Sequence, residues 1–526
     1  MQVAEEPAQK LEIPPRLAEA RREAAELFRL IRLLDLVRQV AHALLDSQDL
    51  ALERERSCVS VRQRMLHLGE ERLPGVTHPC VEQAADAVEK VDEVVTHGAE
   101  GNYPSRAVRG HGPDGPSLAR LRPNLLRRLA PALLAAALAA GLAAPAAPAS
   151  LRTKLADALE GSRVSPSRTG VMVFDLDASA TVFRRNRLLS LRPASNEKLT
   201  VAATVLDRLG PTFRIETQVW GHGHLVDGVW KGRLVLKGFG DPALTGADLG
   251  QLAKQVRSAG IERITGAIVG DESYFDTLRV APGWKASYYK DESPPLSALV
   301  ANRARLDGRI VDEPARAAAI LFRRKLSALG IRVAGKAKKG LLGLDATALA
   351  GVRSPRLSRL VRRMNRVSDN FYAEMLLKQL GARLRGAGTT AAGARVVKAE
   401  LRQRGVTMDG VRIVDGSGLS RMDRLTARAL VELLISATSD AVIGAPFVGS
   451  LPVAGVNGTL ADRMESPPAY GTVYAKTGTT SQASALSGYV RTRYVFAVLM
   501  NGDPVPWWYA QRSQDRFAQV LARAAQ

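Results

Sequence analysis

Cysteine and histidine are scarce in this chain of 526 residues, and their positions exclude several kinds of site. Both cysteines, Cys58 and Cys80, precede residue 150, so the later part of the chain cannot form an internal disulfide. The only histidines after residue 150 are His222 and His224, which we predict to be exposed loop residues at the tip of a hairpin. Two such histidines without further ligands do not make a metal site, so we predict no metal. The small number of histidines and their predicted position in a loop also argue against a Ser-His-Asp triad.

Acidic residues are outnumbered, with 52 Asp and Glu against 74 Lys and Arg, which gives a formal net charge of +22. The whole basic excess lies after residue 150. A basic surface attracts polyanions. No RNA-recognition, KH or zinc-finger signature accompanies it, so we expect no nucleic-acid partner. We interpret the charge as an arginine-rich solvated surface that can also attract an anionic polymer of the cell envelope.

An apolar run from Leu129 to Ala144 is shorter than the roughly 20 residues of a membrane-spanning helix. Four arginines precede it, and Ala147-Pro148-Ala149 follows as an A-x-A cleavage site. Residues 119–149 therefore predict a secretory signal, with cleavage favoured over an uncleaved anchor. We expect an exported protein of the periplasm or another extracytoplasmic part of the cell envelope.

The segment before this signal, residues 1–118, has no assigned role. Its middle has apolar residues at helical spacing, and its end is rich in Gly and Pro. One explanation is a genuine helical region that precedes the signal. The other, which we favour because a signal normally begins its chain, is an artefact of gene-start assignment.

After residue 150 the patterns predict a hairpin, an apolar helix, a region in which strands and helices are mixed, further helices, three strands and a terminal helix. The predicted fold class is α+β. Its body, residues 150–214 and 346–526, is one antiparallel sheet with helices on its faces, whose first and last segments pair. A smaller α+β insert, residues 215–345, interrupts this body. We find no internal repeat.

Three short motifs follow one another in this body. They are Ser195-Asn-Glu-Lys198, Ser368-Asp-Asn370 and Lys476-Thr-Gly478. In this order they match S-x-x-K, S-D-N and K-T-G, the signature set of penicillin-binding proteins and class A β-lactamases. Each motif is weak alone, whereas the ordered set indicates a serine acyl-transfer enzyme.

The residue types suit that chemistry. Ser195 is predicted at the start of the apolar helix, and Lys198 lies one turn later on the same face, where it can accept the serine proton. A lysine is a base only when its pKa falls, and we expect burial and the nearby cation of Lys476 to lower it. Ser368 and Asn370 are expected in a loop between two helices, as a proton relay and a contact to a substrate amide.

A second S-x-x-K match, Ser287-Tyr-Tyr-Lys290, occurs in the predicted insert. It lies between Pro282-Gly283-Trp284 and Pro294-Pro295, so no long helix can start there. We therefore do not interpret Ser287 as the nucleophile.

The motifs and their surroundings resemble the D-alanyl-D-alanine carboxypeptidases/endopeptidases of the DacB-like, peptidase S13 family of low-molecular-mass penicillin-binding proteins. The resemblance runs from about residue 165 to 525. The segments that carry it are Arg192–Leu199, Gly238–Pro242, Pro294–Leu299 with Asn302, Val367–Glu374, Asp415–Ser420 and Ala475–Thr479.

This resemblance implies a penicillin-binding protein/β-lactamase-like transpeptidase fold and a role for each matching residue. Ser195 would be acylated, with Lys198 as its base, and Ser368 and Asn370 would be the catalytic and binding pair of the second motif. The carboxylate and backbone of the substrate would be bound by Lys476, Thr477 and Gly478. The N–H groups of Ser195 and Thr479 would form the oxyanion hole.

The implied substrates are peptidoglycan stem peptides with D-alanyl-D-alanine ends, or D-alanyl-diaminopimelate cross-links. β-Lactams would acylate the same serine, and no metal or organic cofactor is implied. The spacing between the first two motifs is shorter than expected for members with two inserted domains, which leaves the choice between carboxypeptidase and endopeptidase open. A β-lactamase or esterase, and a non-catalytic penicillin-binding sensor, are the alternatives. The oligomeric state is also open.

Overall fold

The structure, a computed structural model, describes residues 149–526. The predicted N-terminal segment 1–118 lies outside the described residues, as does the predicted signal 119–149 except for its last residue. None of the described helices combines the length and the apolar character that crossing a membrane requires.

Helices and strands alternate along the described residues. The first half contains α1 (Ala149–Glu160), β1 (Thr169–Asp175), β2 (Ala180–Arg185), α2 (Glu197–Leu209), β3 (Glu216–Val226), β4 (Val229–Gly238), α3 (Gly246–Ser258), β5 (Arg263–Ile264), β6 (Ile268–Asp271), β7 (Arg305–Leu306), β8 (Arg309–Ile310) and α4 (Pro314–Ala328). The second half contains β9 (Arg332–Val333), β10 (Ala337–Lys339), β11 (Thr347–Arg353), α5 (Leu357–Arg366), α6 (Asn370–Arg385), α7 (Thr390–Gln403), α8 (Ala427–Thr438), α9 (Gly444–Val448), β12 (Val473–Thr480), β13 (Ala483–Val490), β14 (Tyr494–Asn501) and α10 (Trp507–Ala524).

The first sheet joins the two ends of the described residues. Its strand order is β12-β13-β14-β1-β2, and every pair is antiparallel. Residues Thr169 to Asp175 of β1 pair with Met500 to Tyr494 of β14, so the predicted pairing of first and last segments is confirmed. Because β12 has a neighbour on one side only among the strands that the structure describes, the strand with the K-T-G motif is an edge strand of this sheet.

Helices cover both faces of this sheet, because successive side chains of a strand point to opposite faces. On β14, Val495, Ala497 and Leu499 pack with the core that contains α2, α6 and α8. Phe496 and Val498 point the other way, into a core with α1 and α10. The central strands are buried on both faces, which explains their continuous apolar sequence.

The second sheet has the order β10-β6-β4-β3-β11, with β5 and β9 attached beside β4. Helices α3 and α4 pack on it in a separate core. β11 pairs antiparallel with β3, so the sheet continues to Arg353, beyond residue 345. This strand is mostly exposed and lacks the apolar alternation by which a strand is predicted. The domain limits drawn from the sequence stay a prediction.

A turn at Asp227-Gly228 joins β3 to β4 in the second sheet. The prediction that His222 and His224 are loop residues is wrong, since both lie within β3. The Nε2 atom of His222 accepts a hydrogen bond from the N–H of Gly343 at 3.1 Å, so this side chain helps hold the segment that precedes β11.

We predict that Phe517→Ala lowers the free energy of unfolding by about 3–5 kcal/mol, since a buried aromatic ring leaves a cavity. Phe517 of α10 is fully buried, with its ring centroid 5.8 Å from that of Phe183 and 6.4 Å from that of Phe496. Urea unfolding of the purified protein measures the loss. Arg523→Ala, an exposed change on the same helix, is the control and should alter the free energy by less than about 0.5 kcal/mol. A loss below about 1 kcal/mol for Phe517→Ala would contradict this packing.

Candidate active site

The first motif lies where α2 meets the edge strand β12. Ser195 is half-buried in a single 3-10 turn, Ala194–Asn196, which runs directly into α2, so the helix itself begins two residues later than predicted. A Cβ atom on Gly478 would lie 2.8 Å from the carbonyl oxygen of Pro193 and 3.1 Å from the nitrogen of Ser195. The glycine of the third motif is therefore required by the approach of the Ser195 turn to β12.

Lys198 is fully buried beneath Ser195. Its Nζ donates to Ser195 Oγ at 2.8 Å, to Asn370 Oδ1 at 2.8 Å and to the carbonyl oxygen of Ser417 at 2.6 Å. Burial lowers the pKa of Lys198 to about 8, although nearby carboxylates, Asp415 first among them, act in the opposite direction. The amine is thus placed to accept the serine proton near neutral pH.

Lys476 is the second fully buried lysine of the site. Its Nζ donates to Ser368 Oγ at 2.9 Å and to the carbonyl oxygen of Thr477 at 2.8 Å. Burial first, and then the positive charge of Lys198, hold the pKa of Lys476 well below its usual range. Burial, rather than the charge of Lys476, is the main cause of the lowered pKa of Lys198.

The second motif is held at the start of α6. Asp369 caps this helix by accepting from the N–H of Tyr372, and Asn370 is its first residue rather than a loop residue as predicted. The Nδ2 atom of Asn370 donates to the carbonyl oxygen of Glu292 at 3.1 Å and to its Oε2 at 3.3 Å. These acceptors orient the amide so that Oδ1 faces Lys198.

A loop of residues 415–420 presents the Ser417 carbonyl group to Lys198. The Oε1 atom of buried Glu374 accepts from the N–H groups of Gly416 and Ser417 at 3.0 and 2.9 Å. The carboxylate of Asp415 accepts from the N–H groups of Gly418 and Ser420 and from Trp284 Nε1, each within 2.8 Å. Burial, then the charge of Asp415, raises the pKa of Glu374 to about 8.

Sequence reasoning assigned no role to Glu374 or Asp415, although both lie in segments that carry the family resemblance. A carboxylate within the apolar face of a helix is the signal that could have indicated Glu374, since charged side chains are rarely buried without a partner. Burial likewise raises the pKa of Glu197 and of Asp423 well above the usual range, and the charge of Asp415 adds to both shifts.

The free backbone edge of β12 faces the same cleft. Val473 accepts from the N–H of Ala454, and Ala475 donates to the carbonyl oxygen of Pro452, both at 3.0 Å, so these two residues turn away from β13. Backbone groups alternate in direction along a strand, so Thr477 and Thr479 turn the same way. The N–H of Thr479 is thus directed to the side on which Ser195 lies, as the expected oxyanion hole requires.

The predicted site residues line one cleft of about 580 Å³ or lie directly beneath it. Its lining includes Ser195, Ser368, Asn370, Thr477 and Thr479. The other lining side chains are ones to which the motifs assigned no role: Lys285, Ser287, Tyr288, Glu292, Leu419, Thr459, Arg463, Thr480, Ser481 and Gln511.

The second S-x-x-K match contributes a wall of the cleft but lacks the geometry of a nucleophile. Ser287 lies in a short 3-10 turn, Ala286–Tyr288, and borders the same cleft as Ser195. The Nζ atom of Lys290 pairs instead with the carboxylate of Asp312 at 2.8 Å. Ser287 therefore lacks the contact with a lysine amine that Ser195 has, since the amine of Lys290 is engaged by this ion pair.

Solved structures with this arrangement of sheet, helices and insert define the fold class. Penicillin-binding protein 4 (DacB) of Haemophilus influenzae aligns with a TM-score of 0.63 at 21% identity, which covers 70% of this chain and 99% of that one. Its complex with a novel β-lactam aligns with a TM-score of 0.57 at 22% identity, over 71% and 99% of the two chains. The predicted penicillin-binding-protein fold is therefore confirmed.

Sequence comparison identifies the family. A family model described as D-Ala-D-Ala carboxypeptidase 3 (S13) matches residues 151–310 and 301–524. The D-alanyl-D-alanine carboxypeptidase of Actinomadura sp. is 32% identical over 470 residues, which cover 71% of this chain and 85% of that protein. Carboxypeptidase DacB of Mycolicibacterium smegmatis is 30% identical over 393 residues, 68% and 81% of the two chains. The chain belongs to the D-Ala-D-Ala carboxypeptidase 3 (S13) family, and it is a serine-type peptidase.

We predict that the rate of acylation by benzylpenicillin rises with pH to a plateau, with a midpoint near the pKa of about 8 for Lys198. Only the neutral amine accepts the serine proton, and a lowered pKa makes about a tenth of it neutral at pH 7, against less than about one in a thousand for an ordinary lysine. Stopped-flow acylation rates between about pH 6 and 10 measure the profile. A pH-independent rate would show that Lys198 is not the base.

The same profile tests how Glu374 acts on Lys198. Glu374→Ala leaves the N–H groups of Gly416 and Ser417 without their acceptor, so we expect a loss of about tenfold or more in acylation rate at every pH. Glu374→Gln is the matched control, because its amide oxygen can accept from the same two groups and it resembles the protonated acid. It should keep most of the rate, with a midpoint that is unchanged or lower. Equal losses in both variants would contradict this positioning.

Proposed function

We propose that this serine peptidase removes the terminal D-alanine from peptidoglycan stem peptides through an acyl-enzyme on Ser195. The single observation that carries the proposal is the 2.8 Å contact between Lys198 Nζ and Ser195 Oγ at the floor of a cleft bordered by the free edge of β12. A substrate peptide extended along that edge gains backbone hydrogen bonds and brings its carbonyl carbon to the serine.

In acylation, Lys198 takes the hydroxyl proton while Ser195 Oγ bonds to the carbonyl carbon of the penultimate D-alanine. The N–H groups of Ser195 and Thr479 stabilise the negative oxygen that forms. The carbon–nitrogen bond to the terminal D-alanine then breaks. Its nitrogen takes up a proton from the hydroxyl of Ser368, which contacts Lys476 Nζ at 2.9 Å. The proton that Lys198 took from Ser195 is passed on to Ser368, so Lys198 is neutral again before deacylation.

Deacylation reverses these roles. A water molecule attacks the ester carbon, its proton passes to Lys198, and Ser195 Oγ regains a proton as its bond to carbon breaks. The terminal carboxylate of the substrate would lie beside Thr477, close to Lys476. An incoming negative charge favours the protonated form of a buried lysine, so substrate binding would restore the cation that burial disfavours.

The same chemistry extends to two further kinds of ligand. A D-alanyl-diaminopimelate cross-link presents the same acyl group with a different leaving amine, so endopeptidase activity needs no other catalytic residue. A β-lactam would acylate Ser195 in the same way and act as an inhibitor. No metal or organic cofactor enters this scheme.

We predict that benzylpenicillin adds once to the purified protein at Ser195 and that D-alanine is released from diacetyl-Lys-D-Ala-D-Ala. Ser195→Ala should lose both activities, because it removes the attacking oxygen. Ser287→Ala is the matched control from the second S-x-x-K match and should keep both. Intact-mass analysis and a D-alanine assay measure the outcomes.

Other results of this experiment separate the alternatives. Rapid penicillin hydrolysis without a stable adduct would indicate a β-lactamase. An adduct without D-alanine release would indicate a sensor or a strict endopeptidase, which a cross-linked muropeptide substrate distinguishes. An adduct that persists in Ser195→Ala but disappears in Ser287→Ala would overturn the assignment.

We also propose that the protein acts outside the cytoplasm after cleavage of residues 119–149. The basic, apolar and A-x-A succession of that segment supports this proposal, as does a substrate that lies in the cell wall. We predict that the protein isolated from the cell envelope begins at Ser150, as mass spectrometry of its N-terminal peptide would show. Peptides from residues 1–110 in the same fraction would contradict cleavage.

A further inference from the structure

Two adjacent tryptophans at the start of α10 are exposed to solvent. Trp507 is 54% exposed and Trp508 is 47% exposed. Tryptophan is highly buried on average, and contiguous exposed apolar groups mark binding surfaces. The other tryptophans of the described residues, Trp220, Trp230 and Trp284, are buried or half-buried.

Neighbouring side chains hold this pair, which we call the tryptophan platform, in place. The ring of Trp508 lies edge-on to that of Tyr509, with centroids 4.9 Å apart. The guanidinium group of Arg512 lies 4.5 Å from the centroid of Trp508, and that of Arg163 lies 3.7 Å from the centroid of Tyr509. Such cation–π contacts order the rings before any ligand arrives.

The platform adjoins Gln511, a residue that lines the active-site cleft. Gln511 follows Trp507 by four residues and Trp508 by three, so all three lie on the same side of α10. Gln511 lines the cleft, and its Nε2 donates to Thr479 Oγ1 at 3.3 Å. The N–H of Val505, just before α10, donates to the carbonyl oxygen of Ser481 at 2.9 Å. The platform therefore lies beyond the Ser481 end of the cleft.

The direction of the substrate follows from the roles proposed above. With its terminal carboxylate at Thr477 and its reacting carbonyl group at Ser195 and Thr479, the preceding residues run toward Ser481. Trp507 lies about 6 Å further along α10 from Gln511, at 1.5 Å per residue. Three or four extended peptide residues span about 10–14 Å. The sugar end of a stem peptide thus comes within reach of the platform.

We infer that Trp507 and Trp508 form a carbohydrate-binding site for the glycan strand that carries the stem peptide, an inference that rests on the proposed function. Pyranose rings present flat faces of C–H groups that pack on aromatic rings, while Gln511 and Arg512 offer hydrogen-bond donors to their hydroxyl and acetamido groups. The sugar would add affinity through a second contact on the same covalent substrate.

A lipid surface fits this region less well. An interfacial helix must offer a broad apolar face to the membrane. The apolar face of α10, with Phe517, Ala518 and Leu521, is buried against the first sheet. Two aromatic side chains beside an arginine match the edge of a sugar-binding groove better than a membrane anchor.

The test compares one pentapeptide with and without its sugars. For N-acetylglucosaminyl-N-acetylmuramyl-pentapeptide, we expect Trp507→Ala/Trp508→Ala to raise KM by about five- to tenfold without changing kcat. For the sugar-free pentapeptide, KM, kcat and the rate of penicillin acylation should stay unchanged. Leu341→Ala/Leu344→Ala, a pair of exposed leucines in the segment between β10 and β11, is the matched control and should change none of these values.

Chitotetraose binding to the Ser195→Ala protein, measured by calorimetry, provides a readout independent of catalysis. The platform variant should lose this binding. An unchanged KM for the sugar-bearing substrate together with unchanged chitotetraose binding would overturn the inference, as would an equal loss on the sugar-free peptide. If the platform variant instead lost only its binding to phosphatidylglycerol vesicles, the ligand of the platform would be a membrane surface and not the glycan. Failure of the wild-type protein to release D-alanine from either peptide, with chitotetraose binding intact, would instead contradict the proposed function.

Discussion

The site depends on the burial of two lysine amines within one cleft. Removing an ammonium group from water is costly, so a buried lysine needs either acceptors for its protons or a lowered pKa. Lys198 has three acceptors, from Ser195, Asn370 and Ser417, and Lys476 has two. Burial lowers the pKa of both. The lysine amine that we propose as the base in place of histidine therefore owes its lowered pKa to the packing of the protein around it.

The sheet topology makes that burial compatible with substrate access. Among the described strands β12 is an edge strand, so no strand pairs with the outer side of its backbone at Thr477 and Thr479, while its neighbour β13 anchors the other side. An exposed edge normally attracts unwanted pairing. Here the Ser195 turn, the start of α6 and the loop before β12 surround the edge, and the remaining opening is the cleft. A structural weakness of sheets thus becomes the substrate-binding surface.

Side chains from the predicted insert, residues 215–345, contact residues that surround Lys198. Trp284 donates to Asp415, whose carboxylate holds the loop that faces Lys198, and Glu292 orients Asn370. Glu374 holds the same loop from α6. None of these side chains needs to touch the substrate. They fix the acceptors of Lys198, and through them its position and protonation.

The sequence by itself predicted the proposed chemistry, from three ordered motifs, a lysine one turn after a serine and the scarcity of histidine, and it predicted an antiparallel sheet whose first and last segments pair. The spacing of Ser195 and Lys198 is local, because positions along a helix place residues on one face without reference to the rest of the chain. Only the tertiary structure decided that Glu374, Asp415 and Glu292 belong to the site, that Asn370 begins a helix, and that His222 lies within a strand. The contacts of Lys198 to Asn370 and Ser417 cross 172 and 219 residues of sequence. Burial and electrostatics arise from such distant contacts, and no pattern within one segment records them.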